Sequence, residues 1–441
     1  MLIGCVFKIF SRFMSDFFSQ LLYLFKLFGY VWWIILPLVL WITFWHSWLH
    51  YIRMKYLASV EWVLLEVLIP KEVLRTPKAM EQVFAGIYGA FFAGNLIDKY
   101  WGGKMLGWFS LELVSLSGQT HFYVRTPTSL RNLIESQIYG QYPRAEIFEV
   151  PDYVNIIPND APNDKWDLWG TDVMLAKPDA YPIRTYEYFF GKEGSIKEEF
   201  HLDPLSSLME ALGNLKEREN VWLQVLIQPA GEEWKKEVEE LINKIAGKKS
   251  KPKPPTVLEE VGGLFSQTIR LVTPSGEGSA PTKEREAPQS TVMFLSPGER
   301  DVLSSIETNV SKPGYKTKIR FIYAAEREIF NRGNVAAVMG FFRHFNTQHL
   351  NSFKPNSGTM TIGGYFFSKQ REYIRKRKLL ENYRKRWLAE NPNSLRPKGL
   401  FVFNTEELAT IYHFPGMATV APSLPRIGAK KGEPPTSLPV V

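Results

Sequence analysis

Seven histidines and one cysteine are the residues best suited to nucleophilic, acid–base or metal chemistry in this chain. His46 and His50 are four apart, a spacing that puts two ligands on one helix face, but no acid lies between them and the surrounding run is aromatic. They read as polar residues of an interfacial stretch. His344 and His349 stand five apart in RHFNTQH with no Cys, Asp or Glu beside them, which suits capping or surface roles. The remaining three are His121, His201 and His413. Cys5 lies in an apolar segment, where a thiolate is disfavoured. No GxxxxGK[ST] loop, no strand-linked GxGxxG and no GxSxG elbow occurs. The acids show no spacing that marks a catalytic pair. The expectation is a protein without catalytic residues, bound cofactor or metal ligands.

The densest charge lies in residues 369–388, KQREYIRKRKLLENYRKRWL, with nine basic residues against two acidic. The cations are Lys369, Arg371, Arg375, Lys376, Arg377, Lys378, Arg384, Lys385 and Arg386, while Tyr373, Leu380 and Tyr383 recur at helical spacing. Cations along one helix can displace several counterions together, so the segment reads as a patch for DNA phosphates or anionic lipid. A solvated surface helix would give the same pattern. The whole chain carries 53 basic and 45 acidic residues, a net +8, which suits either polyanion.

Something must position that patch, and the most conspicuous element is Leu27–Ile52. No Asp, Glu, Lys or Arg falls between Lys26 and Arg53, a run of 26 residues that includes Trp32, Pro37, Trp41 and Trp45. A helix needs roughly 20 apolar residues to cross a hydrocarbon core, so the run predicts a single transmembrane helix with aromatic ends. Residues 1–26, with Lys8, Arg12, Asp16 and Lys26 near one helical face, predict an amphipathic helix in the interface. Arg53, Lys55, Lys71, Arg75 and Lys78 outweigh the cations before the run, which points to a single-pass membrane protein with cytoplasmic soluble domains. A solvent-exposed part without cysteine fits that compartment.

Beyond the predicted span (27–55), the hydrophobic pattern alternates between periods of two and 3.6. Glu61–Pro70, Trp108–Ser117, His121–Arg125 and Ala145–Val150 read as strands, with a hairpin at Gly118–Gln119. Helices begin at Thr76-Pro77 and Thr126-Pro127-Thr128. The order β-α-β-β-α-β predicts a ferredoxin-like, split βαβ unit over 56–155. A second α/β unit is expected over 166–246 and 292–415, with Trp166–Lys177 and Ile183–Phe190 as an antiparallel pair and a capping box at Ser296–Glu299. It loosely repeats the first: WVLLEVLIP matches VWLQVLIQP, and FYVRTP matches KIRFIYA. Residues 247–291 are rich in Lys, Pro, Gly, Ser and Glu and predict a disordered insertion; 416–441 predict a Pro-rich linker. The fold class expected is thus α+β, an N-terminal transmembrane helix followed by two ferredoxin-like units.

EWVLLEVLIPKEVLRTPKAMEQVFAGIYG, YGQYPRAEI, DLWGTDVMLAKPDAYPIRTY, SPGERDVLSSIETNVSK, FRHFNTQHLNSFKPN and FVFNTEELATIYHFPG go beyond fold class. Together they resemble the membrane-anchored N-terminal domain family of bacterial proteins related to type IV coupling ATPases, the HerA/FtsK-like class of conjugation and type IV secretion. In that family an end like RIGAKKGEPPTSLPVV leads into an ATPase domain. These 441 residues hold no such domain, so no hydrolytic residue is carried over. The resemblance implies a non-enzymatic platform that docks a separately encoded translocating ATPase at a lipid bilayer, with DNA and further copies of the chain as other partners. The alternative is a membrane-associated nucleic-acid or anionic-lipid binder acting through 369–386.

Overall fold

The computed structural model describes residues 29, 32–33, 36–70, 75–90, 94–190, 203–245, 296–363, 367–388 and 399–416. The expectations for 1–26, Leu27, 247–291 and 417–441 fall outside the described residues.

The chain divides into two compact units, one formed by Met1–Glu61, Phe92–Leu106 and Asn391–Pro397 and the other by the remainder. The first contains helix α1 over 36–59 and the short helix α3 (Leu96–Tyr100). Here the charge-free run meets its correction. Among the described residues no helix is long and apolar enough to cross a membrane. The physical reason is that uncharged is not the same as apolar. Trp41, Trp45, His46, Ser47, Trp48, His50 and Tyr51 crowd α1 and lower its mean hydropathy. Several of them pack within the unit: the Trp48 indole N–H donates to the Tyr100 carbonyl at 3.3 Å, and the Trp45 and Trp48 rings meet those of Tyr100 and Trp101. Ile52 is buried, Trp45 half-buried, and Trp32, Pro37 and Trp41 are exposed. The expected single-pass membrane localisation falls with the span.

The second unit is organised by one sheet of nine strands. These are β1 (Trp62–Leu68), β2 (Phe109–Leu116), β3 (Gln119–Pro127), β4 (Glu146–Glu149), β5 (Trp166–Leu175), β6 (Glu219–Pro229), β7 (Gly314–Glu326), β8 (Phe353–Pro355) and β9 (Phe401–Asn404). Its helices are α2 (Pro77–Ile87), α4 (Arg131–Gln141), α5 (Tyr186–Phe190), α6 (Ser206–Gly213), α7 (Glu232–Ile245), α8 (Pro297–Ser311), α9 (Arg332–Arg343), α10 (Ser368–Lys385) and α11 (Thr405–Ile411). The strand order is β4-β1-β3-β2-β6-β7-β5-β8, with β9 pairing the N-terminal end of β7, and every pairing is antiparallel.

The expectation of a transmembrane helix and two ferredoxin-like units is therefore corrected to one continuous sheet. β2 and β6 pair over the whole length of β2, from Phe109 opposite Ile227 to Leu116 opposite Asn220, so no boundary separates the halves. Both strands are buried on both faces, as central strands are. Outward from this seam the order is β2-β3-β1-β4 on one side and β6-β7-β5-β8 on the other. FYVRTP in β3 and KIRFIYA in β7 thus occupy equivalent places, whereas WVLLEVLIP in β1 and VWLQVLIQP in β6 do not.

Local chemistry explains the element ends. The β2–β3 hairpin turns through Ser117 and Gly118, both at positive φ (52° and 86°), the requirement of a two-residue type I′ turn. The Ser296–Glu299 capping box opens α8, the Glu299 carboxylate accepting from the Ser296 amide at 2.8 Å. Thr76 holds the N-cap place of α2 before Pro77, but its hydroxyl makes no cap bond. A second capping box, Asn404 with Glu407, opens α11. Ile183–Phe190 is not a strand: 186–190 is the helix α5, and β5 takes β7 and β8 as neighbours instead.

The sheet has two unequal coverings. Val63, Leu111, Phe122, Leu223 and Phe321 face a large core shared with α2, α4, α6, α9 and α11. Residues of opposite parity, Leu64, Val114, Trp222 and Ile322, face Leu379, Leu380 and Tyr383 of α10 and Tyr153, Val154 and Ile157. A third cluster joins α7 and α8 to β9 through Trp234, Val238, Ile306 and Val402.

Candidate functional site

Beneath α10 one transverse row of the sheet is polar across six strands. Glu66 pairs with Tyr123, Tyr123 with Glu112, Glu112 with Gln224, Gln224 with Arg320, and Arg320 with Asp172. Directly opposed residues stand about 4.5–5.5 Å apart on one face, so these side chains meet in series. The next row, Val114, Trp222 and Ile322, is apolar and buried. Glu112, Gln224 and Arg320 are completely buried.

Hydrogen bonds run along the row. Arg320 Nε donates to Asp172 Oδ1 at 3.0 Å and its Nη1 to Gln224 Oε1 at 3.1 Å; Gln224 Nε2 donates to Glu112 Oε1 at 3.0 Å. Lys318 Nζ lies 3.3 Å from Asp172 Oδ2. At the other end the His121 ring nitrogen Nδ1 is 2.6 Å from Glu66 Oε1, and the rings of His121, Tyr123 and Tyr153 stack in succession.

From above, α10 and the segment after β4 close the row. Arg386, at the C-cap of α10, has φ 50° and a buried side chain. Its Nε and Nη2 reach Glu112 Oε1 and Oε2 at 2.7 and 3.1 Å, and its Nη1 and Nη2 reach Asp152 Oδ2 and Oδ1 at 2.6 and 2.8 Å. The Tyr153 hydroxyl donates to Glu112 Oε2 at 2.7 Å and stands 2.7 Å from that of Tyr383. The carbonyl of Arg386 accepts the Trp108 indole N–H at 2.9 Å, and that of Asn382 accepts Arg320 Nη1 at 2.8 Å.

The charges balance locally: Glu112, Asp152 and Asp172 face Arg386, Arg320 and Lys318. Burial opposes ionisation of Glu112, but the Arg386 charge and hydrogen bonds from Arg386, Ser110 and Tyr153 hold its carboxyl below the usual range. Arg386 is disfavoured by burial yet held well above its ordinary value, chiefly by Glu112 and Asp152. Burial raises the Tyr153 and Tyr383 hydroxyls well above theirs, with Glu112 adding to the effect. Arg125 stacks over Trp62 at 4.4 Å, and burial followed by the Arg386 charge pushes it down to about 10. Every carboxylate of the row is taken up by protein donors, so the arrangement is a clamp on α10 with no open coordination or attack position.

The basic segment therefore splits in two. Lys376 reaches Asp167 and Glu372 at 2.7 Å each. Arg375 donates to the carbonyls of Met360 and Ile362, and Arg384 to those of Ile157 and Pro158. Together with Arg386 these hold α10 to the body. Lys369, Arg371, Arg377, Lys378 and Lys385 are exposed. Lys385 pairs with Glu381, and Arg377 donates to the Tyr373 hydroxyl at 3.0 Å. The sequence carried a signal for this division: Lys376, Leu379, Leu380 and Tyr383 recur at one helix face, and all four are buried.

Glu112, Gln224, Arg320 and Asp172 escape motif reading. Their mark in the sequence is a charged or amide side chain set among mostly apolar strand residues, SLELVSL, VWLQVLI, KIRFIYA and TDVML. Of the histidines, His46, His50, His344 and His349 are exposed, and His201 lies outside the described residues. His413 is buried, its Nδ1 2.7 Å from the Ala409 carbonyl and its Nε2 3.1 Å from Asp203 Oδ1. Among the described residues no group of three or more His, Cys, Asp or Glu could hold a metal ion. A second charged cluster on the opposite side ties Lys312 to Glu81 and Glu406 at 2.9 and 2.6 Å, with Tyr186 donating to Glu81.

A family model described as "Domain of unknown function (DUF8128)" matches residues 108–424. No curated protein matches the chain significantly. The matched stretch contains all of α10 and five of the six strands of the polar row, and omits β1, which lies inside the sheet between β3 and β4. Nothing in this match links the chain to coupling proteins, conjugation or type IV secretion, and among the described residues no helix is long and apolar enough to cross the membrane on which that expectation depended. Matched over well more than half of its length, the chain belongs to the DUF8128 family.

Proposed function

We propose that this chain is a non-enzymatic nucleic-acid-binding module whose contact surface is the outward face of α10. One observation carries the reading: Lys376, Arg384 and Arg386 turn inward to Asp167, Asp152, Glu112 and backbone carbonyls, whereas Lys369, Arg371, Arg377 and Lys378 have exposed side chains. The two acids of α10 are occupied, Glu372 by Lys376 and Glu381 by Lys385. The face is thus cationic along a helix of 18 residues, about 27 Å long. Such a face attracts phosphates by releasing condensed counterions. The net charge of +8 points the same way.

Support for a binding role over a catalytic one comes from the described clefts. An open cleft of about 320 Å³ lies between the Ser117–Gly118 turn and the end of α6, but its lining holds no His, Lys or Arg, and its one carboxylate, Glu210, accepts from the Asn214 side chain. The polar row is saturated internally.

The test is the salt dependence of binding to a labelled DNA oligonucleotide. Changing Lys369, Arg371, Arg377 and Lys378 together to Gln should lower the slope of log K against log salt by about 2–4, depending on how many contact phosphate. These side chains are exposed, so circular dichroism should not change. An unchanged slope, or binding to anionic phospholipid vesicles with none to DNA, overturns the proposal.

A further inference from the structure

Rings as well as cations are exposed along α10. Phe367, at the N-cap, is 75% exposed, and Tyr373, six residues on, is 44% exposed. Six residues of helix rise about 9 Å, and Lys369 and Arg371 lie between the two rings in sequence. Arg377 and Lys378 follow one turn beyond Tyr373. Phe367 has φ 52° and ψ 42°, the left-handed region that a bulky residue seldom adopts and where glycine would be free of strain. A large apolar side chain is therefore kept in a costly conformation and in solvent. Strain retained without an internal packing gain is a mark of a contact surface. Tyr373 is steadied at its edge by Arg377, whose guanidinium lies 5.6 Å from the ring centroid and bonds the hydroxyl.

Rings interleaved with cations discriminate between forms of nucleic acid. In a duplex the base faces are stacked on one another and only phosphates and groove edges are offered. In a single strand the bases splay and can stack on protein rings while the backbone follows the positive charges. Deepening the reading above, on which this inference rests, we propose that the partner of α10 is single-stranded nucleic acid, with Phe367 and Tyr373 as stacking platforms and Lys369, Arg371, Arg377 and Lys378 as the phosphate contacts.

The full chain is titrated with a fluorescently labelled oligothymidylate and with a duplex of the same length. Two variants separate ring from charge. Phe367→Gly removes the ring and relieves the left-handed backbone, so it should fold at least as well as the native chain; Tyr373→Leu keeps the helix. Combined, they should weaken single-strand binding roughly tenfold or more per ring. Duplex binding should stay within about twofold, and the salt slope should not move, because the phosphate contacts remain. A double variant that binds the oligothymidylate as well as the native chain overturns the stacking inference and leaves the charge-based reading standing. A native chain that prefers the duplex does the same. Failure of the native chain to bind either form overturns both.

Discussion

The Arg386 guanidinium and the Glu112 carboxylate meet in a two-point contact, at 2.7 and 3.1 Å, across 274 residues of sequence. Glu112 stands at the middle of the sheet and Arg386 at the end of the basic helix, so this one ion pair fixes where α10 ends. Both side chains are almost wholly buried.

Arg386→Met should destabilise the chain by about 3–5 kcal/mol in urea unfolding, because it leaves Glu112 charged, buried and short of its main partner. Adding Glu112→Gln to that variant should recover part of the loss. A double-mutant cycle with additive effects would show that the two do not interact in solution.

Gln224 links the two ends of the row, its Nε2 donating to Glu112 and to the Tyr383 carbonyl while its Oε1 accepts from Arg320. Gln224→Met has similar volume but makes none of these three bonds. The expected loss is about 1–3 kcal/mol, the cost of buried groups left without partners. Thermal unfolding measures it, and no change in Tm would mean that the row relaxes to satisfy itself.

Gly170 of β5 lies beneath Leu379 of α10. A Cβ there would sit 2.5 Å from the Phe321 carbonyl oxygen and 2.6 Å from Leu379 Cδ2. Gly170→Ala should cost about 1–3 kcal/mol by forcing the strand or α10 to move. Limited proteolysis reads the displacement of α10 and should cut near it sooner in the variant than in the native chain.

Stability should also depend on pH through Glu407. This residue closes the α11 capping box and accepts from the amides of Ile183 and Asn404 at 2.9 and 3.1 Å. Complete burial, with like charge from Glu406 and Asp179, nevertheless pushes its carboxyl up to about 8. A raised native value means that the folded chain holds the proton more firmly than the unfolded one. Stability from this group is present below the ordinary glutamate value of 4.5 and is lost as pH rises towards 8. The difference is on the order of a few kcal/mol. Glu407→Gln should flatten the decline in Tm between pH 5 and 8; an equally steep decline would assign it elsewhere.

Much of the local structure was legible in the residues. Ser296 and Glu299 announced a cap, Ser117-Gly118 lay within one residue of the hairpin turn expected, and the alternating strands β1 to β4 stood within a residue or two of their expected limits. These features depend on neighbours a few positions apart. The charge-free run misled because absence of charge was taken for apolarity, and the Trp and His residues that fill it are of middling hydropathy. The basic segment misled differently: composition counts cations without saying which of them a buried carboxylate already holds.

Periodicity and turn chemistry, then, determined the kinds of element, most of their ends and the positive charge of residues 369–386. Only the tertiary structure joined β2 to β6, lined up Glu112, Gln224, Arg320 and Asp172 in one row, and turned Lys376, Arg384 and Arg386 inward while leaving Lys369, Arg371, Arg377 and Lys378 outside. The reason is that strand register and the burial of a charge are set by partners up to hundreds of positions away, which no local pattern encodes.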